Sequence, residues 1–384
     1  MFKILQDEYV GLMLDLSSER RKDSVKGRLK NINMKKLYDL CEEHELHGVV
    51  ASHIQNEKLC TLPSYWMEAY QKEEDRLSFL KNKAKEICGL MLENGIPMVI
   101  LKNGGIMADI VDDAAACPME DIDSLVRKED FYQAHEILVK NGFVFKFRSV
   151  YEKEELEQAY LDGSTEYYIP MPNGGDMWFE LSWRAIAGRW IRPDKELDTK
   201  ELFSRIHYAK NTAVGILSPE DNLLQVCIHT AKHSYVRSPG LRLHLDVERI
   251  VSHENIDWEL FVQRTIETHV CTSTYYSLLI PKILFGTPIP EWVLERIRPK
   301  KQKQRKLEKI FAKVGLLHPT KKKFSKLSFL NFQTSLYDSK KDQWRVIYPS
   351  WDWYKEKYKA KSKIILPWYI LLRCLDLVGI RKKK

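Results

Sequence analysis

Two aspartates, Asp121 and Asp123, stand one residue apart in the segment MEDIDSLV (119–126). In a β-strand, side chains two residues apart point to the same face, so both carboxylates would lie together while Ile122 faces the other way. Carboxylate oxygens are the hard ligands that Mg²⁺ prefers, and a phosphoryl-transfer site combines them with room for phosphate and water. The ordinary alternative is an acidic turn at the start of a strand, because DxD by itself is a common sequence.

A pair of glycines, Gly104 and Gly105, follows a short apolar run and precedes a segment that can begin a helix. We expect a tight loop here, because glycines let backbone N–H groups approach a phosphate and a helix N-terminus favours negative charge. Lys102 stands at the entrance of this loop, where its ammonium group can pair with phosphate. The structural alternatives are a simple turn and a solvent-exposed lysine.

A third carboxylate, Glu180, lies within the apolar segment MWFELSW (177–183). An acid between Phe179 and Leu181 either faces solvent or belongs to a polar site. Asp176 lies at the preceding turn, so Glu180 is the better candidate for a third metal ligand.

His229 and His233 form an HxxxH pattern on a predicted helix, which places both imidazoles on one face. Zinc uses such pairs, but no glutamate follows the first histidine and no third ligand is evident. Packing or hydrogen bonding between helices is therefore the favoured interpretation. Arg242 and Asp246 can join a polar network in the same region.

Hydrophobic periodicity predicts the elements that position these residues. Residues 1 to about 90 show apolar residues at three- and four-residue spacings, which indicates helices, with a stop at Asn94-Gly95. Further elements are predicted as follows: strands over 98–101, 120–126 and 143–150, a short helix starting at 106, a helix from 128 to Asn141-Gly142, and a strand pair over 164–170 and 176–183 around the turn MPNGG.

This order of elements predicts an α+β fold, a mixed β-sheet domain with flanking helices, preceded and followed by helical regions. The second helical region opens at Ser218, an N-cap followed by proline and two acidic residues. Residues after about 298 are basic, aromatic and poorly periodic. The predicted division is 1–90 helical, 91–215 mixed sheet, 216–298 helical and 299–384 basic.

The composition, with 44% hydrophobic and 30% charged residues among 384, is that of a globular protein and argues against a disordered or fibrous chain. Seven scattered cysteines without a CxxC pair indicate reduced thiols, so we expect a cytoplasmic protein, and the N-terminus has no signal-peptide pattern. The net charge of +8 gathers in 298–306, 321–326 and the last four residues. Such basic runs are usually solvated helix faces or tails. Binding of nucleic acid is the minor alternative, because no recognisable nucleic-acid-binding module accompanies them.

The longest apolar stretch, IILPWYILLRCLDLVGI (364–380), is interrupted by Pro367, Arg373 and Asp376. It is too short and too polar for a transmembrane segment. A buried or packing helix is the favoured interpretation. A membrane-surface helix is the alternative, because RKKK (381–384) follows.

The ordered segments resemble the bacterial family of uncharacterised nucleotidyltransferases within the DNA polymerase beta-like superfamily. Members of that family read LKG, a helical stretch, an arginine, DIDLLV, a helix and a glycine turn, then a strand like DLHW and a helical part with HxxxH. The resemblance covers about 98–290. Its later segments here are FELSW (179–183), CIHTAKHS (227–234) and LRLHLDVERIV (241–251).

The resemblance implies metal-dependent transfer of a nucleoside monophosphate from an NTP, such as ATP, to an acceptor that the sequence does not identify. The acceptor could equally be a protein, a sugar, an antibiotic, an RNA or another nucleotide. The implied cofactor is Mg²⁺ or Mn²⁺. The implied catalytic residues and metal ligands are Asp121, Asp123 and Glu180, and the implied phosphate-binding residues are Lys102, Gly104 and Gly105.

The sequence departs from the family pattern at Asn103 in place of glycine, Cys117 in place of arginine and Ser182 in place of histidine, and Glu180 replaces the usual aspartate. These departures motivate a second hypothesis, a non-catalytic nucleotide-binding or interaction protein on the same scaffold. A third hypothesis is association with nucleic acid or a membrane through the basic C-terminal region.

Overall fold

The computed structural model describes residues 7–20, 25–148, 154–185, 195–348 and 351–378. Within these ranges, a seven-stranded mixed sheet has helices before and after it in the chain, which confirms the predicted α+β class. A continuous hydrophobic core runs from the first helices across one face of the sheet to the C-terminal helices. A smaller cluster, which includes Val99 and Leu125, covers part of the other face.

Helices precede the sheet, as the periodicity predicted. Asp7 and Asn33 cap two of them by accepting backbone N–H groups. The longest ends at Asn94, after which Gly95 adopts a left-handed conformation (φ 77°) that glycine tolerates without strain. These helices are α1 (Glu8–Ser17), α2 (Val25–Leu29), α3 (Met34–Glu43), α4 (His47–Asn56) and α5 (Ser64–Glu93).

The sheet has the strand order β3-β4-β5-β2-β1-β7-β6. The predicted pairing of 164–170 with 176–183 is confirmed by the antiparallel β4–β5 ladder. The strand predicted over 143–150 is shorter, and 149–150 lie outside the described residues. The strands are β1 (Val99–Ile100), β2 (Asp121–Leu125), β3 (Val144–Phe145), β4 (Ser164–Pro170), β5 (Asp176–Ser182), β6 (His207–Tyr208) and β7 (Gly215–Ile216).

Between the strands lie α6 (Lys102–Asp109), α7 (Phe131–Lys140), α8 (Leu156–Asp162) and α9 (Thr199–Phe203). After the sheet come α10 (Pro219–Lys232), α11 (Arg242–His253), α12 (Trp258–Glu267), α13 (Cys271–Phe285) and α14 (Glu291–Arg296). Ser218 caps α10 as predicted, since its side chain accepts the N–H of Asp221. The domain boundaries proposed from the sequence remain predictions.

The basic region beyond 298 is helical, and the prediction of poor periodicity is wrong for its first helix. In α15, Leu307 and Phe311 are buried while Ile310 and Val314 pack against the core, so apolar residues recur at three- and four-residue spacings. The helices are α15 (Lys301–Val314), α16 (Lys326–Ser335), α17 (Lys340–Ile347), α18 (Trp351–Tyr358) and α19 (Leu366–Val378).

The loop predicted at KNGG (102–105) is wrong, because these residues form the first turn of α6 directly after β1. The two glycines allow this helix to lie against the strand. A Cβ on Gly104 would meet Ile100 Cγ2 at 2.6 Å, and one on Gly105 would meet the Ile100 carbonyl oxygen at 2.7 Å. Close helix–strand contact therefore accounts for the glycine pair.

We expect Gly105→Ala to destabilise the fold by about 1–3 kcal/mol, because the added Cβ meets a backbone oxygen that no side-chain rotation can move. The matched control is Gly89→Ala in α5, where a new Cβ has no neighbour within 4 Å. That substitution is expected to stabilise the fold by about 0.5–1 kcal/mol, the usual gain within a helix. Urea denaturation measures both values. A Gly105→Ala protein as stable as the wild type would contradict the packing role.

Candidate active site

A row of carboxylates crosses three strands on one face of the sheet. Strand β2 pairs in parallel with β5, so Asp123 lies opposite Glu180, and β5 pairs antiparallel with β4, so Glu180 lies opposite Glu166. Register partners point to the same face, and Asp121 shares that face because it lies two residues from Asp123. The structure thus brings together the predicted acids Asp121, Asp123 and Glu180, and it adds Glu166.

Two cations pair with carboxylates of this row. The ammonium of Lys102, at the start of α6, lies 2.5 Å from Asp123 Oδ1. The guanidinium of Arg148 lies 2.6 Å from Asp121 Oδ2 and 2.9 Å from Glu166 Oε1. Lys102 therefore lies at the site as predicted, although it contacts a carboxylate, and Arg148 is a site residue that sequence reasoning missed.

Burial sets the electrostatics of the aspartates. It raises the pKa of Asp121, and the neighbouring Asp123 charge adds to that effect. Burial also raises the pKa of Asp123, with Glu180 contributing, and these effects outweigh the opposing charge of Lys102. Conversely, burial disfavours the Lys102 ammonium, but Asp123 and Glu180 raise its pKa overall. The neighbouring cations therefore offset only part of the cost of keeping these buried carboxylates charged.

The three positions that depart from the family pattern have definite contacts. The Ser182 hydroxyl donates to Glu180 Oε1 at 3.2 Å and so orients that carboxylate. Asn103 donates from Nδ2 to the Pro118 carbonyl and to Asp246 Oδ1, both at 3.1 Å. Cys117 is fully buried beside the Asn103 carbonyl, and burial raises the pKa of its thiol to about 12.

An arginine nevertheless reaches the turn beside Cys117. Arg242 of α11 donates to the Pro118 carbonyl and lies 3.3 Å from Glu45 Oε2. This side chain is buried and lines the cleft described below. Arg242 therefore places a guanidinium beside Cys117, the position where the family pattern has arginine.

A cleft of about 800 Å³ opens over the carboxylate row. Gly104 lines it, whereas Gly105 is not among its lining residues and instead lies against β1. Helix α10, the turn after it and the segment 319–326 also line this cleft. We call the basic residues that these segments contribute the cationic wall; they are Lys232, Arg237, Lys321, Lys322, Lys323 and Lys326.

A family model described as an uncharacterised nucleotidyltransferase matches residues 30–286 of this chain. The chain belongs to this nucleotidyltransferase family. The match spans both aspartates, Glu180 and the helix that carries His229, so the resemblance inferred from those segments is confirmed. Searches of curated proteins and of solved structures returned no match.

In this nucleotidyltransferase, His229 and His233 lie on the cleft side of α10 with ring centroids 4.8 Å apart. Burial lowers the pKa of both imidazoles, and His233 Nδ1 donates to the Ser238 carbonyl at 2.7 Å. No group of three or more His, Cys, Asp or Glu side chains is arranged for metal binding among the described residues. The pair consequently has no third ligand there for zinc.

The carboxylate row of the described residues likewise does not form a ready-made metal site. Its acids share one face, but the oxygens of Asp121 and Asp123 face Arg148 and Lys102 instead of converging on one point. Three hard-oxygen side chains of this kind suit Mg²⁺ or Mn²⁺ by donor chemistry. Binding of such an ion would require the two cations to move aside.

Proposed function

We propose that this nucleotidyltransferase moves a nucleoside monophosphate from an NTP to an acceptor hydroxyl, with divalent metal held by Asp121, Asp123 and Glu180. The observation that carries the proposal is that the carboxylate row and the cationic wall line one cleft. The carboxylates suit a divalent ion, and the basic residues suit a triphosphate. Family membership supports the general reaction.

The carboxylate row accepts cations, and the ion pairs of Lys102 and Arg148 support this property. A bound Mg²⁺ would neutralise phosphate charge and lower the pKa of an acceptor hydroxyl. In the proposed complex, Lys102 and Arg148 leave the aspartates and pair with phosphate oxygens. Both side chains already line the cleft, so neither has far to move.

The remaining roles follow from position. Glu180, held by the Ser182 hydroxyl, would orient the acceptor for in-line attack on the α-phosphorus. The acceptor hydroxyl loses its proton to water, a new bond forms between its oxygen and the α-phosphorus, the bond to the oxygen that bridges to the β-phosphate breaks, and pyrophosphate leaves. Lys232 and Arg237 on the cationic wall would hold the departing phosphates.

The direct test is transfer of labelled α-phosphate from each of the common NTPs, with Mg²⁺ or Mn²⁺ and with a chelator as control. Asp123→Asn serves as the inactive variant, and its expected effect is argued in the Discussion. Acceptors are offered as a panel of proteins, sugars, aminoglycosides, RNA and nucleotides. Label that transfers equally well with the chelator or with Asp123→Asn would contradict the proposed site.

The second candidate, a non-catalytic nucleotide-binding protein, is favoured by one observation: both aspartates are already neutralised by cations. Calorimetry with a non-hydrolysable NTP separates the two. Metal-dependent binding without transfer to any acceptor on the panel would favour the non-catalytic protein.

Arg148→Gln is expected to tighten Mn²⁺ binding about tenfold in the absence of nucleotide. The reason is that Arg148 competes with the metal for Asp121, and a hydrogen bond to a charged group contributes about 1.5–3 kcal/mol. Arg127→Gln is the matched control, because Arg127 also pairs with an aspartate and is similarly exposed, at 34% against 36% for Arg148. Titration of free Mn²⁺ by electron paramagnetic resonance gives both affinities. Equal affinity in the two variants would show that Arg148 does not compete with the metal.

A further inference from the structure

The C-terminal helix α19 presents an uncovered apolar face. Together with the 3-10 turn that leads into it (Lys363–Ile365), it exposes Ile364 at 89%, Ile365 at 47%, Trp368 at 56% and Leu371 at 47%. These positions recur at three- and four-residue spacings, so they share one side, which we call the outer face. A clustered set of large exposed apolar side chains usually marks an interaction site.

The opposite face of the helix is anchored to the protein. Tyr369 stacks on Tyr358 of α18 with ring centroids 6.1 Å apart, and Arg373 is buried. The helix also contacts α16 and α17. The expectation of a packing helix is therefore right for one face, while no described part of the chain covers the outer face.

Charge identifies what can cover it. From 357 to 384 the sequence has one acidic residue, Asp376, against Lys357, Lys359, Lys361, Lys363 and Arg373 within 357–375. Lys359, Lys361 and Lys363 are exposed and directly precede the outer face. The sequence also ends in Arg381 followed by three lysines. A second copy of the chain would bring like charges together at this surface, which disfavours self-association through it.

We infer that the outer face of α19 docks on an anionic lipid surface. Its aliphatic side chains would enter the boundary between headgroups and acyl chains, Trp368 would lie at headgroup level, and the lysines would meet lipid phosphates. The helix would lie on the membrane without crossing it. In agreement, no helix among the described residues has the length and apolar character needed to span a bilayer.

Sedimentation with vesicles tests the inference on the full chain. We expect binding to vesicles of phosphatidylglycerol and phosphatidylcholine, weak binding to phosphatidylcholine alone, and loss of binding as salt is raised. Trp368→Glu is expected to lower partitioning at least tenfold by placing a charge on the outer face. Lys361→Gln with Lys363→Gln is expected to lower it about thirtyfold, at about fivefold for each lysine.

The matched control is Leu161→Glu, which places the same charge at an exposed apolar residue on α8. It is expected to bind vesicles like the wild type. Absence of binding to anionic vesicles, or equal binding by the Trp368 and Leu161 variants, would overturn the inference. A concentration-dependent dimer in ultracentrifugation that Trp368→Glu abolishes would also overturn it, since a second copy would then occupy the face.

Discussion

Asp123→Asn is expected to lower the rate of nucleotidyl transfer by more than about a hundredfold, beyond the 10–100-fold loss typical of residues that only support a metal ligand. Asp123 lies at the centre of the carboxylate row, between Asp121 on its own strand and Glu180 on β5. Asparagine keeps the shape but removes the charge that a divalent ion requires. The measurement is kcat for transfer of labelled α-phosphate at saturating NTP.

The matched control for this prediction is Asp176→Asn. Asp176 belongs to the same strand as Glu180 but lies exposed at its start, so transfer should be unchanged. Thermal unfolding of both variants checks that the fold is intact. Transfer by Asp123→Asn within a few-fold of the wild-type rate would remove these carboxylates from the mechanism.

Arg264→Leu is expected to reduce the free energy of unfolding by about 3–5 kcal/mol, the range for breaking a buried ion pair. Arg264 Nη1 lies 2.7 Å from Asp221 Oδ1, and the two side chains are only 7% and 1% exposed. Arg205 also pairs with Asp221 Oδ2 at 3.1 Å, and the Ser218 hydroxyl donates to the same oxygen, so part of the Asp221 charge stays compensated and we expect a loss at the lower end of this range. The pair fixes the start of α10, the helix that presents Lys232 to the cleft.

Arg296→Leu is the control for the stability measurement. Arg296 pairs with Glu259, but both side chains are largely exposed, so the loss should stay below about 1 kcal/mol. Urea denaturation with unchanged m-values compares the two. Adding Asp221→Asn to Arg264→Leu should recover part of the stability, because the part of the buried charge that Arg205 does not compensate is removed. Equal losses for Arg264→Leu and Arg296→Leu would contradict a special contribution from the buried pair.

The short-range features of the site could be predicted from the sequence. Alternation within β2 places Asp121 and Asp123 on one face wherever the strand lies. The acid within the apolar strand β5 identified Glu180. The α+β class followed from the order of elements, because that order depends on local periodicity.

Two residues of the site, Arg148 and Glu166, were missed by the sequence analysis. Glu166 joins the carboxylate row through the β4–β5 register, and Arg148, three residues beyond β3, reaches Asp121 and Glu166 with its side chain. The predicted pairing of β4 with β5 would have placed Glu166 on the same face as Glu180 once the register of the two strands was assumed. Arg148 carried no such local signal.

The glycine pair illustrates a different limit. Glycine is required both where backbone approaches a phosphate and where a helix approaches a strand, so Gly104-Gly105 fits either structure. The contact with Ile100 depends on tertiary packing, which periodicity does not contain.

The segment 319–326 completes the cleft, yet it lies beyond residue 286, where the match to the family ends. The cleft is therefore built from two parts of the chain, one inside the family match and one outside it. If the proposed function holds, substitutions among the carboxylates would alter the transfer step, whereas substitutions in 319–326 would alter which molecules the cleft accommodates. We expect other members of the family to differ in this segment, and thus to use different acceptors in the same reaction.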